Sequence, residues 1–127
     1  MAVELNHTII PSRDPAAGAA FLADILGLPE PKRYGPFHEV RPANGVSLDF
    51  MRSDSEVPSI HYAFLVSEPE FDEIFGRIVE RGVPYYADSG GNVEGEINTN
   101  DGGRGCYFPD PDGHWLEIIT QPYGWGD

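Results

Sequence analysis

The strongest constraint on this 127-residue chain is that it carries one pattern twice. His7 opens the first copy and His61 the second. Each is followed by a short apolar run, a turn with proline, a helical stretch and a glycine. The exits also match: Leu26-Gly27-Leu28-Pro29 in one copy, Arg81-Gly82-Val83-Pro84 in the other. Twenty residues separate His7 from Gly27, and twenty-one separate His61 from Gly82. Self-similarity at this scale sets the architecture before any single element is assigned.

Both helices carry start and stop signals. Asp14 caps the first, with Pro15 at the first helical position and Gly27 suited to a left-handed C-terminal cap. Ala17, Phe21, Leu22 and Ile25 form its apolar stripe. In the second, Ser67 and Glu70 have capping-box spacing, and Pro69 sits where a missing N–H costs nothing. Phe71, Ile74, Phe75 and Ile78 fall at helical spacing, and Arg77 and Arg81 suit the negative end of the helix dipole.

Alternating segments follow each helix. Val46, Leu48 and Phe50 share one strand face, with Asp49 on the other; Leu116 and Ile118 likewise oppose Glu117. Ile60, Tyr62, Phe64 and Val66 face a helix and leave His61 pointing the opposite way. The Gly/Asn-rich stretch SGGNVEGEINTNDGGRG lengthens the second copy, and long loops inside compact domains are commonly functional. The order predicts an α+β fold of two tandem βαβββ modules. It is expected as a single domain over residues 1–127, with module 1 at about 1–54 and module 2 at about 59–122.

Charge bounds the partners. Eight basic residues against 21 acidic ones give a net charge of −13, which argues against nucleic acid and anionic membrane surfaces. At 40% hydrophobic the chain is too apolar for an acidic disordered segment. Its one cysteine, Cys106, forms no internal disulfide and suits a reducing compartment. Asp24 interrupts the only candidate leader, and no run reaches the roughly 20 apolar residues of a membrane span. A cytoplasmic location is expected.

The repeat places a histidine on the first strand and a carboxylate on the last strand of each copy. His7, Asp49, His61 and Glu117 therefore form a candidate set for a divalent metal. Two imidazoles with one or two carboxylates favour Fe(II) or Mn, and also accept Zn, Ni or Co.

On these residues the chain resembles the vicinal oxygen chelate superfamily, which includes glyoxalase I, extradiol dioxygenases, fosfomycin-modifying thiol transferases and bleomycin-sequestering proteins. The segments that carry the likeness are the His7 strand, FLADILGLPEP, His61 with its helix, and YFPDPDGHWLEIITQPYG. The resemblance implies that the two modules form one curved mixed-sheet cleft, with His7, His61 and Glu117 as metal ligands. Asp49 falls where glyoxalase I has a Glu; Asp is one methylene shorter, so ligation and a supporting role both remain open.

The C-terminal segment is also similar to the extradiol dioxygenase signature through Tyr107, Asp110, Pro111, Gly113 and Glu117. Tyr107 would then orient the substrate. Cys106 stands where the signature has an aliphatic or Phe residue, and Asn98, Thr99 and Asn100 stand where it has a His. The resemblance implies a metal-dependent enzyme acting on a small substrate with adjacent oxygens, more like an extradiol dioxygenase than glyoxalase I. Tyr107 and Glu117 are its catalytic candidates. The alternative is a bleomycin-resistance-type protein that sequesters an aromatic drug without catalysis. Either is expected to be a homodimer.

Other residues carry plainer readings. Asp110 to Gly113 make a tight turn. His114 and Trp115 take rim or packing positions, His38 a surface or hydrogen-bonding one, and Cys106 is a small buried residue. Arg104 is an exposed hairpin residue. The tail Pro122-Tyr123-Gly124-Trp125 either closes over a pocket or packs on a second subunit.

Overall fold

The computed structural model describes residues 2–124. The chain divides into two units, one running through Pro58 and one beginning at Ser59. Trp125, the last of the tail residues singled out above, lies outside the described residues.

The first unit contains β1 (His7–Ser12), α1 (Pro15–Leu26), β2 (Lys32–Tyr34), β3 (Phe37–Val40) and β4 (Ser47–Arg52). Its sheet has the order β1-β4-β3-β2, with β1 parallel to β4 and the other pairs antiparallel. A parallel neighbour cannot be reached by a tight hairpin, so the chain returns to β1 only after the helix and two intervening strands. Asp14 caps α1 by accepting the Ala17 N–H at 3.1 Å, and Gly27 ends it at φ 69°.

The buried face of α1 is rotated from the predicted stripe. Gly18, Ala19, Leu22, Ala23 and Ile25 are buried, whereas Ala17 is exposed and Phe21 half-buried. Packing against β4 is the reason. A Cβ on Gly18 would stand 3.0 Å from the Phe50 ring, so the helix meets the sheet through its smallest side chain.

The second unit contains β5 (His61–Leu65), α2 (Glu68–Glu80), β6 (Gly105–Pro109) and β7 (Trp115–Ile119). Here the order is β5-β7-β6, with β5 parallel and β6 antiparallel to β7. The capping box forms: Ser67 Oγ accepts the Glu70 N–H at 3.2 Å, and Glu70 Oε1 accepts the Ser67 N–H at 2.8 Å. Phe71, Ile74 and Ile78 are the buried residues of α2.

Two named strands rather than three follow α2 among the described residues. In place of the third, isolated bridges from Tyr86 to Tyr107 and from Asn98 to Gly105 pair the free edge of β6. The Gly/Asn-rich stretch explains the loss. Asp88 takes the backbone N–H groups of Asn92 and Val93 at 2.9 and 2.8 Å, and Gly91 and Gly95 have φ of 70° and 80°. Donors captured in this way are withdrawn from a ladder.

Arg104, expected as an exposed hairpin residue, instead clamps α2. It bonds Glu68 at 2.8 Å and Asp72 at 2.9 Å, and lies 4.4 Å from the centre of the Phe71 ring. Both units are thus mixed sheets with one helix, an α+β arrangement. Among the described residues, no helix is long and apolar enough to cross a membrane.

Candidate metal centre

In both units the histidine and carboxylate occupy the same register. On the parallel pair β1–β4, His7 stands opposite Ser47, and Asp49 lies two residues further along. On β5–β7, His61 stands opposite Trp115, and Glu117 lies two residues further along. A step of two preserves the face, so each histidine shares a sheet face with its carboxylate. The opposite faces hold core residues: Ile10, Leu48 and Phe50 in the first unit, Phe108, Leu116 and Ile118 in the second.

The second unit brings its pair into contact. His61 Nε2 lies 3.1 Å from Glu117 Oε1, and His61 Nδ1 lies 2.8 Å from the Trp115 carbonyl oxygen. A carbonyl only accepts, so Nδ1 carries the proton and a neutral imidazole turns the lone pair of Nε2 toward the carboxylate. Two acceptors at that distance repel unless a proton or a cation is held with them. Glu117 is 1% exposed, and the Tyr123 hydroxyl lies 2.8 Å from both of its oxygens. The arrangement fits a divalent cation: a buried carboxylate, an adjacent imidazole nitrogen, and the second ring nitrogen fixed by a backbone carbonyl.

In the first unit His7 has the same tautomer. Its Nδ1 donates to Asn6 Oδ1 at 2.8 Å, which leaves Nε2 as the lone-pair nitrogen. Asp49 is buried and accepts a hydrogen bond from Ser47 Oγ. The two predicted pairs therefore share a register but differ in contact. His61 meets Glu117 directly, whereas His7 and Asp49 each hold a different partner.

Tyr107 stands opposite Glu117 across β6–β7, and its ring centre lies 5.9 Å from that of His61. Burial first, then the Tyr123 hydroxyl and the Glu117 carboxylate, hold its phenol above the ordinary tyrosine range. It therefore stays a proton donor across the neutral range. Trp115 stacks on Tyr107 at 6.0 Å, and Tyr86 packs on Trp115 at 5.4 Å. An open pocket beside this aromatic row is lined by Ser59, His61, Ser89, Gly90, Gly91 and Trp115.

Asp110, Asp112 and His114 form another group with mutually close ligand atoms. Asp110 Oδ1 closes a turn by accepting the N–H groups of Asp112 and His114 at 2.9 and 2.8 Å. His114 is fully buried, and its Nδ1 accepts the Ile60 N–H at 3.1 Å, which joins the turn to the strand entering β5. Burial raises the Asp110 carboxyl, against the opposing pull of the His114 backbone N–H and ring. His38 stands opposite the buried Phe50 across β3–β4, so it shares that core-side face rather than the face of His7 and Asp49.

Of the rim and packing positions expected for Trp115, it takes the rim, lining the pocket beside His61. Tyr123, from the tail expected either to close over a pocket or to pack on a second subunit, meets Glu117; strand periodicity stops before it, so alternation gives no sign of that contact.

Residues 4–118 match the Glyoxalase/Bleomycin resistance protein/Dioxygenase superfamily. The chain belongs to that superfamily. A solved structure named Oxidase ChaP-H1 is 63% identical, with a TM-score of 0.95, over 97% of this chain and 99% of that one. Another, Oxidase ChaP-H2, is 59% identical with a TM-score of 0.95, over 98% of each chain. The metallothiol transferase FosB of Lysinibacillus sphaericus is 26% identical over 121 residues, which cover 91% of this chain and 81% of FosB.

Proposed function

We propose that this superfamily member is a metal-dependent oxidoreductase acting on a small substrate with adjacent oxygens, in the manner of an extradiol dioxygenase more than of glyoxalase I. The observation that carries this reading is the His61–Glu117 pair, whose tautomer and buried carboxylate suit a cation. The name oxidase, borne by relatives 63% and 59% identical, supports the redox side of it.

The proposed ligands are His61, Glu117 and, on the strength of the repeated register, His7. Asp49 is either a further ligand or a proton acceptor; Ser47 holds its carboxylate in place for both roles. When bound, Fe(II) or Mn(II) supplies Lewis acidity that stabilises negative charge developing on substrate oxygens. Tyr107 donates a hydrogen bond from a phenol that remains protonated, and so orients one of those oxygens. The Trp115 carbonyl keeps His61 in its ligating tautomer. Assembly as a homodimer is part of the proposal and is measured by sedimentation.

The test begins with metal content of the purified protein beside His7→Ala, His61→Ala and Glu117→Ala. Loss of metal in all three is expected, and metal retained by both His61→Ala and Glu117→Ala would refute the centre. Anaerobic loading with Fe(II), addition of a catechol panel and then oxygen follows, with oxygen uptake and ring-cleavage absorbance as readouts. Tyr107→Phe is expected to keep its metal and lose about 100-fold in turnover, a typical loss for a positioned proton donor.

A second reading is thiol transfer to an epoxide antibiotic, favoured by the FosB relative. Consumption of fosfomycin with a thiol, without oxygen uptake, would select it. Tight binding of an aromatic drug with no turnover of any substrate would select sequestration.

A further inference from the structure

The segment after β7 returns to the candidate centre. Thr120 remains tied to the segment leading into β6, its N–H donating to the Arg104 carbonyl at 2.9 Å and its hydroxyl accepting the Arg104 N–H at 2.8 Å. Pro122 then restricts the backbone, and Tyr123 follows immediately. The Tyr123 hydroxyl lies 2.8 Å from Glu117 Oε1 and 2.8 Å from Glu117 Oε2. A phenol has one proton, so it cannot make two full hydrogen bonds at once. Oε1 is also the oxygen facing His61 Nε2.

We propose that Tyr123 is a positioning residue that holds Glu117 as a one-oxygen ligand. Were Oε1 and His61 Nε2 to hold a cation, the single proton of Tyr123 would go to Oε2 and keep that oxygen from ligating. Room would then remain for the second oxygen of a chelating substrate. Without the Tyr123 hydroxyl, Tyr107 is the phenol still bonded to Glu117, and the carboxylate would be freer to turn both oxygens toward the cation. Tyr123 therefore favours two-oxygen substrates over one-atom ligands. This inference rests on the metal centre proposed above and adds the residue that sets the denticity of its carboxylate.

The experiment uses Co(II) as the metal, with 4-nitrocatechol as a chelating probe and azide as a one-atom probe. Parent, Tyr123→Phe and a chain ending at Pro122 are each loaded and titrated, with folding checked by circular dichroism. Tyr123→Phe keeps the ring and removes only the oxygen. It is expected to alter the Co(II) visible spectrum and weaken Co(II) binding about tenfold, the lower end for loss of a hydrogen bond to a ligand. It should also weaken 4-nitrocatechol about tenfold more than azide. The shortened chain should behave in the same way. A parent-like spectrum with parent-like affinity for both probes would overturn the inference. Glu117→Ala separates the two levels: if it binds Co(II) as the parent does, the metal centre itself is wrong. If it loses Co(II) while Tyr123→Phe stays parent-like, only the role of Tyr123 falls.

Discussion

Cys106 illustrates how a residue's position along a strand determines its chemistry. It lies on β6 with no exposed surface, opposite Ile118 on β7. Burial, and secondarily the Glu117 carboxylate, push its thiol up to about 12. The folded protein therefore keeps a proton that the unfolded chain releases from about pH 8.5. This contribution to stability is complete below that value and is lost as pH rises toward about 12. The urea midpoint should fall between about pH 8.5 and pH 10.5, and Cys106→Ala should fall less steeply. Parallel curves for parent and variant would contradict the assignment. The same burial makes the thiol a poor nucleophile, in keeping with its reading from sequence as a small apolar residue. Glu117 was equally legible, because its alternation with Leu116 and Ile118 put it on the face away from the core. For Tyr123 the sequence offers closure over a pocket as one of two readings, but not its contact with Glu117. Its place depends on a turn beyond the strand, where no periodicity remains to be read.

At the scale of elements, the two helices show what local signals do and do not contain. The caps at Asp14 and Ser67 formed as their spacing implied, because each is decided by atoms within four residues. The facing of α1 was decided elsewhere. Its rotation toward Gly18 follows from the bulk of Phe50 on β4, more than thirty residues away. Gly18→Val should cost about 1–3 kcal/mol through overpacking. That cost should shrink in a Phe50→Leu background, as urea denaturation of the four proteins would reveal. Equal costs in both backgrounds would mean that the Phe50 contact is not what constrains position 18. The second copy carries the complementary lesson. Its third strand was expected from symmetry with the first, yet Asp88 and the glycines of the long loop tie up the backbone locally and leave only isolated bridges.

Over the whole molecule, the net charge of −13 works against compactness. Raising ionic strength from about 0.01 M to about 0.15 M shortens the screening length from about 30 Å to about 8 Å. In the presence of a chelator, the melting temperature should rise across that range. A fall would show that attractive ion pairs, such as Arg104 with Glu68 and Asp72, outweigh the general repulsion. By itself the sequence determined the duplication, both helices, the strands that carry His7, Asp49, His61 and Glu117, and the residues that strand alternation and caps assign to faces. Those properties are set by neighbours within one or two turns or strand repeats. Tertiary structure alone decided that His61 meets Glu117 while His7 bonds Asn6, and that Tyr123 returns to share the carboxylate. It also decided that Arg104 pairs with Glu68 and Asp72 of α2. Each of these depends on which side chains the sheet registers and turns bring within about 3 Å, the reach of a hydrogen bond, and no local pattern encodes that distance.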